Sequence, residues 1–195
     1  MPFFSSKHIL DGNLLRSKLQ ELSAYPDTQR ETEKCIWDKF GCEYAVMFTD
    51  MAGFSSETSS RGILSALTRV YIAQEILAAA IEQNEGAVLK SMGDSLLAIF
   101  KNPDSAYNCA TDLSRSELYS SLTIGIGYGK VLQFGKLDIY GEEVNLASRL
   151  AEDLGTGGQL LVTKSFLGAT PNADPSQFKI FAVRNGDIWA YIYSG

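Results

Sequence analysis

Polar and glycine-rich breaks divide the chain into short apolar runs of two periodicities. Leu14, Leu15, Leu19 and Leu22 recur at helical spacing, and Tyr25-Pro26-Asp27 interrupts them. A second short helix is predicted over 28–39, ahead of Gly41. Residues 43–49 are dense in apolar and aromatic side chains and read as a buried strand ending at Asp50. A Gly/Ser turn over 51–60 follows. The clearest helix runs over 61–83, with Ile63, Leu67, Val70, Leu77 and Ile81 as its apolar stripe and Gly86 as its C-cap. Residues 87–91 and 95–100 flank Met92-Gly93-Asp94 as a hairpin, and Asn102-Pro103-Asp104 opens a short helix. Residues 122–128 and 130–134 read as two strands about Gly129. A helix over 143–154 stops at Gly155, and 159–163 is a strand. The runs 178–183 and 188–193 meet at Asn185-Gly186, a hairpin turn. This order predicts an α+β domain, an open sheet with helices on one face.

Composition narrows the function classes. At 195 residues and 45% hydrophobic content the chain can bury one sizeable core. Residues 1–8 read as an untethered start, 1–42 as an N-terminal helical segment, and 43–195 as the domain that carries the chemistry. The helical segment has two readings, a cap packed on the domain or a helix joining two copies. Seventeen basic against twenty-three acidic side chains give a net charge of −6. That balance repels phosphate backbones at long range and argues against broad nucleic-acid binding. Cys35, Cys42 and Cys109 have no metal-ligand spacing and read as small buried thiols of a reducing compartment. His8 is the only histidine, so a histidine-based triad is set aside. No run of ~18 uninterrupted apolar residues predicts a membrane span, and no basic-then-apolar signal opens the chain. A cytoplasmic location is expected.

The candidate chemistry lies in three blocks. Asp50 ends a predicted strand beside a glycine turn, where ligands meet open sheets. Asp94 sits at the hairpin tip. If these strands are neighbours the two carboxylates converge, and they repel unless a cation lies between them. Mg²⁺ suits one or two carboxylates completed by phosphate oxygens and water. Taken singly, each aspartate is an ordinary turn residue. Gly53-Phe54-Ser55 lets backbone N–H groups approach a phosphate, but no Gly-Lys-Ser/Thr follows, so it is not a Walker-type loop. Lys90 alone reads as a solvated strand lysine. Asn145 and Arg149, four apart, share one helical face, with Leu146 and Leu150 marking the buried side.

In combination the blocks resemble the catalytic domain of class III nucleotidyl cyclases, the adenylate and guanylate cyclases. The motifs are F-x-D-x-x-G-F over 48–54, K-x-x-G-D over 90–94 and D-x-Y-G-x-x-V-N-x-A-x-R over 138–149. Ile124-Gly125-Ile126-Gly127-Tyr128-Gly129 resembles the family's strand before its second hairpin. The likeness runs over 44–193. It implies a ferredoxin-like, palm-type sheet with helices packed on it. It also implies Asp50 and Asp94 as ligands of two Mg²⁺ or Mn²⁺ ions. Lys90 and Asp138 would select adenine, Asn145 would orient the ribose, and Arg149 would stabilise the transition state. A lysine donor and an aspartate acceptor fit adenine's edge, whereas guanine presents a carbonyl where adenine presents an amine. Gly53 and Phe54 belong to the substrate-binding turn. Lys179 and Arg184 are candidates for the basic residue that grips the triphosphate. The stretch 100–122 is shorter than the family's, which predicts a truncated helix.

The resemblance further implies a head-to-tail homodimer. One copy would give the metal aspartates, and the other the base-reading pair, the asparagine and the arginine, making two equivalent sites. The expected reaction converts ATP to cyclic AMP and pyrophosphate. Three alternatives stand beside it: a cyclase preferring guanine or a pyrimidine, a non-catalytic nucleotide-binding module on the same fold, and a purely structural α+β domain.

Overall fold

The structure, a computed structural model, describes residues 12–25, 29–135, 138–184 and 186–195, with the backbone alone at 12, 13 and 184. The expectations for residues 1–8, for His8 and for Pro26, Asp27 and Asn185 lie outside the described residues. In chain order the elements are α1 (Gly12–Ala24), α2 (Gln29–Phe40), β1 (Gly41–Met51), α3 (Phe54–Arg61), α4 (Ile63–Gln83), β2 (Gly86–Met92) and β3 (Ser95–Phe100). Then come α5 (Pro103–Ser114), β4 (Leu122–Phe134), β5 (Asp138–Tyr140), α6 (Glu142–Ser148), β6 (Gln159–Thr163), α7 (Lys164–Gly168), β7 (Phe178–Arg184) and β8 (Asp187–Tyr193).

One eight-stranded sheet runs β2-β3-β1-β4-β6-β8-β7, with β5 paired to β4. The β4–β6 contact is parallel and the other pairings are antiparallel. Helices cover both faces of this sheet, not one. β1 shows why, because its residues of both parities are apolar and buried. Ala45 and Met47 join Val70, Ala73, Leu77 and Ile81 of α4 and Ala106, Cys109 and Ala110 of α5. Tyr44, Val46 and Phe48 face the other way, onto Val144 and Ala147 of α6. α1 and α2 bury Leu15, Ile36 and Phe40 against Leu132 and Phe134 at the far end of β4.

Four local expectations are corrected. Residues 54–61 form a helix rather than a turn. Its serines are accommodated because Ser59 and Ser60 donate to the carbonyls of Ser55 and Ser56 four residues back. In α4 the buried line is Ala66, Val70, Ala73, Leu77 and Ile81, whereas Ile63 and Leu67 are about half exposed. The helix is apolar on most sides, and Leu64 (78%) and Tyr71 (65%) also face outward. By length and composition α4 could cross a membrane; one line of it packs on the sheet, and 22% of its apolar window is buried. Gly86 begins β2, and Asn84 caps α4 in its place. Finally, 122–134 is one continuous strand paired with all of β1. The Asn102 side chain caps α5 through the Asp104 N–H, as its sequence predicts.

Candidate active site

β4 positions the site through its glycines. Gly125, Gly127 and Gly129 alternate with Ile124, Ile126 and Tyr128, so they share one face. A Cβ at Gly125 would lie 2.2 Å from the Ala147 carbonyl oxygen, and one at Gly127 would lie 2.6 Å from that of Glu143. The bare strand therefore receives the α6 backbone directly. The Glu143 carboxylate closes the contact, accepting from the Tyr128 N–H at 3.2 Å and from the Thr163 hydroxyl at 2.7 Å. Sequence reading missed Glu143. Its signal was a glutamate two residues before the asparagine, opposite a strand with glycine at every second position.

α6 thus lies flat on the sheet and turns Asn145 and Arg149 outward. Both are exposed and neither side chain engages a partner among the described residues. The buried side of α6 is Val144 and Ala147, followed by Leu150, and Leu146 is only half-buried, which corrects half of the expected Leu146/Leu150 stripe. Beyond Arg149 the backbone widens into a π-helical turn over Arg149–Leu154, closed by the Gly155 N–H on the Leu150 carbonyl. Arg149 lines a groove of about 680 Å³ with Glu142, Leu146, Val183, Asp187 and Trp189. Arg184 ends β7 opposite Asp187, at the same end of the sheet, and its side chain lies outside the described residues. Lys179 is exposed near the start of β7, at the other end of that strand.

Asp50 shares the Tyr44, Val46 and Phe48 face of β1 by alternation, so it faces the side of the sheet that α6 covers. The register Thr49↔Leu96 brings it beside Ser95, whose hydroxyl donates to Asp50 Oδ1 at 3.0 Å. Asp94 occupies the adjoining turn after Gly93, which takes φ +65°. Burial pushes the Asp50 carboxyl above its ordinary range, and the charges of Asp94 and Glu152 push the same way. The Ser95 hydrogen bond opposes them. A half-buried carboxylate with a second one beside it is chemistry that suits a cation. No group of three or more His, Cys, Asp or Glu that could hold a metal occurs among the described residues. The pair thus fits an ion whose other ligands come from phosphate and water.

Lys90, on β2 opposite Leu97, reaches Asp138 on β5, with Nζ donating to Oδ1 at 2.9 Å. Oδ1 also accepts from the Ile139 N–H at 3.0 Å, and Oδ2 from the Tyr140 hydroxyl at 3.2 Å. Two residues 48 apart in sequence are thereby joined, and the carboxylate is oriented from three sides. About one-third of each side chain stays exposed, so an incoming polar edge can compete for both.

Gly53 takes φ +88°, which its missing Cβ permits, and leads into α3. The Phe54 side chain packs against the core and anchors the turn. The first intrahelical bond of α3 runs from the Glu57 N–H to the Gly53 carbonyl, leaving the N–H groups of Phe54, Ser55 and Ser56 unused by the helix.

No family model and no curated protein matches the sequence. Solved structures do match. An adenylate/guanylate cyclase/hydrolase from Silicibacter pomeroyi is 25% identical, with TM-score 0.65 over 80% of this chain and 98% of that one. An adenylate cyclase from Trypanosoma brucei, solved in its monomeric state, is 17% identical, with TM-score 0.63 over 77% and 87%. The guanylyl cyclase Cya2 is 20% identical, with TM-score 0.60 over 78% and 91%. The chain has the fold of class III nucleotidyl cyclase catalytic domains.

Proposed function

We propose that the chain is a nucleotidyl cyclase that converts ATP to cyclic AMP and pyrophosphate at sites shared by two copies. The observation that carries this reading is the division of the six candidates. Asp50 has the charge of Asp94 beside it, whereas Lys90, bonded to Asp138, and the side chains of Asn145 and Arg149, exposed and without a partner among the described residues, form a second group. Each copy then holds complementary halves of two sites, which a two-fold axis completes.

Asp50 and Asp94 would hold two divalent cations, Mg²⁺ or Mn²⁺. When bound, these lower the proton affinity of the ribose 3′ oxygen and neutralise phosphate charge. The Gly53 turn and the free N–H groups at the start of α3 cradle phosphate oxygens. On the other copy, Asp138 accepts from the adenine amine and Lys90 donates to a ring nitrogen. Asn145 orients the ribose. Arg149 faces the α-phosphoryl group, where charge builds as the 3′ oxygen attacks and pyrophosphate leaves. Contacts of that kind are worth roughly 3–4 kcal/mol of barrier. Of the two candidates for the triphosphate tail, Arg184 is favoured over Lys179 because its backbone ends β7 opposite Asp187, which lines the Arg149 groove.

The test offers purified protein ATP, GTP, CTP and UTP in turn, with Mg²⁺ or Mn²⁺, and reads cyclic nucleotide and pyrophosphate together. Equal amounts of the two products are expected, most from ATP. A folded dimer that leaves all four intact overturns the reading. GTP as the better substrate keeps the chemistry and overturns the base assignment.

A further inference from the structure

Behind the Asp50–Gly53 turn lies an ion pair that none of the assigned roles uses. Arg69 projects from α4. Its Nε donates to Glu57 Oε2 at 2.5 Å, and its Nη2 donates to the Ala52 carbonyl at 3.1 Å. The Ser65 hydroxyl occupies the other Glu57 oxygen at 3.1 Å. Glu57 is mostly buried, at 15% side-chain exposure, and Arg69 stands at 30%. Ala52 is held from its other side as well, since its N–H donates to the Ser121 carbonyl at 2.9 Å.

The consequence is geometric. In a trans peptide the carbonyl and the following N–H point in opposite directions. Holding the Ala52 carbonyl towards α4 therefore aims the Gly53 N–H away from α4. That peptide lies two residues after Asp50 and opens the turn. The Gly53 carbonyl, at φ +88°, is held by the Glu57 N–H and the Ser56 hydroxyl, but the preceding Ala52 carbonyl is held from outside the turn. The Arg69 guanidinium holds it, and Glu57, on α3, fixes the guanidinium. A planar fork can serve both acceptors at once, which an ammonium cannot do equally well.

We propose that Arg69, braced by Glu57, is a positioning residue for the triphosphate. It sets the Ala52–Gly53 peptide so that the Gly53 N–H donates to a phosphate oxygen. This rests on the reading of the Gly53 turn as the phosphate cradle.

The test uses the full chain. Arg69→Met should raise KM for ATP and the inhibition constant of pyrophosphate by about tenfold each. Inhibition by a phosphate-free adenosine analogue should stay within about twofold of wild type. Arg69→Lys should fall between. The exchange Glu57→Arg with Arg69→Glu separates positioning from simple bracing. It restores an ion pair and the melting temperature, but a carboxylate at 69 cannot donate to the Ala52 carbonyl, so pyrophosphate inhibition should stay weak. If the exchange restores pyrophosphate inhibition, or if Arg69→Met weakens the analogue as much as pyrophosphate, the proposal is overturned. Should Arg69→Met fail to fold, Arg69→Lys carries the same comparison. Wild-type protein that binds magnesium pyrophosphate by calorimetry but cyclises nothing breaks the proposed function, and loss of that binding in Arg69→Met still supports this inference.

Discussion

Replacing Gly125 with alanine tests how the sheet positions the helix that begins the stretch bearing the candidate Asn145/Arg149 pair. The new Cβ would lie 2.2 Å from the Ala147 carbonyl oxygen, 2.8 Å from the Ala151 nitrogen and 3.1 Å from the Leu150 Cβ. The two nearest are backbone atoms, so no side chain can swing aside. α6 must retreat by about 1.2 Å, the difference between 2.2 Å and the 3.4 Å where ordinary contact begins. Overpacking on this scale costs about 3 kcal/mol, at the upper end of its usual range. For a chain of this length that lowers the melting temperature by roughly 6–12 °C. Because α6 carries Asn145 and leads directly into the π-helical turn that begins at Arg149, a displacement of ~1 Å should also reduce turnover by about 10²-fold in the molecules that remain folded. The control is Gly168→Ala. That glycine ends α7 with no neighbour within 4 Å, and its replacement should be neutral or stabilise by about 0.4–1 kcal/mol. Thermal melts and cyclase rates at 25 °C on both variants decide the matter. A Gly125→Ala protein that melts and turns over like wild type refutes the argument that the helix rests on bare backbone.

Two further perturbations follow from burial and charge. Asp50→Asn should abolish cyclisation yet stabilise the metal-free protein at neutral pH, because it removes a carboxylate whose ionisation burial, Asp94 and Glu152 oppose. The sign follows from a folded-state pKa above the unfolded one. Wild type is favoured below the ordinary carboxylate range and loses that advantage as pH rises through it. The melting gap between variant and wild type should therefore narrow as pH falls from 7 towards 4, and a gap that widens contradicts this. Cys109 is fully buried, and burial pushes its thiol up to about 12. At pH 8 a thiol-alkylating reagent should modify the half-buried Cys35 before Cys109, as peptide mapping over time would show.

The candidate residues stand out in the sequence because they fall in short local blocks. Lys90 and Asp94 share one hairpin whose Gly93 turn is written in the sequence, and Asn145 and Arg149 lie on one continuous helical stretch, α6 and the π-helical turn after it. The order of the apolar runs predicted the α+β class, while the palm-type sheet came from the family resemblance and the second covered face from neither. What was misread depended on packing and hydrogen bonds that periodicity does not report. Gly129 looked like a strand break, but in β4 it lies on the glycine face that receives α6 and meets Glu143, fourteen residues on. Ile63 and Leu67 looked like the buried stripe of α4 because nearly every side of that helix is apolar. Burial was decided by the small residues Ala66 and Ala73, which let it approach the sheet. The serine-rich start of α3 read as a turn because its hydroxyls bond back to its own carbonyls, which no periodicity reports. The Glu57–Arg69 pair spans two helices separated by a glycine break.

Acidic groups of one copy and Asn145 with Arg149 of another are proposed to complete one site. Mixing Asp50→Ala with Arg149→Ala measures this directly. Each variant alone should be inactive. At equal concentrations half the dimers are mixed and carry one intact site of two, so about a quarter of wild-type cyclase activity should return. A mixture that stays inert while both variants fold and exchange subunits would contradict the shared site, as would full activity in either variant alone.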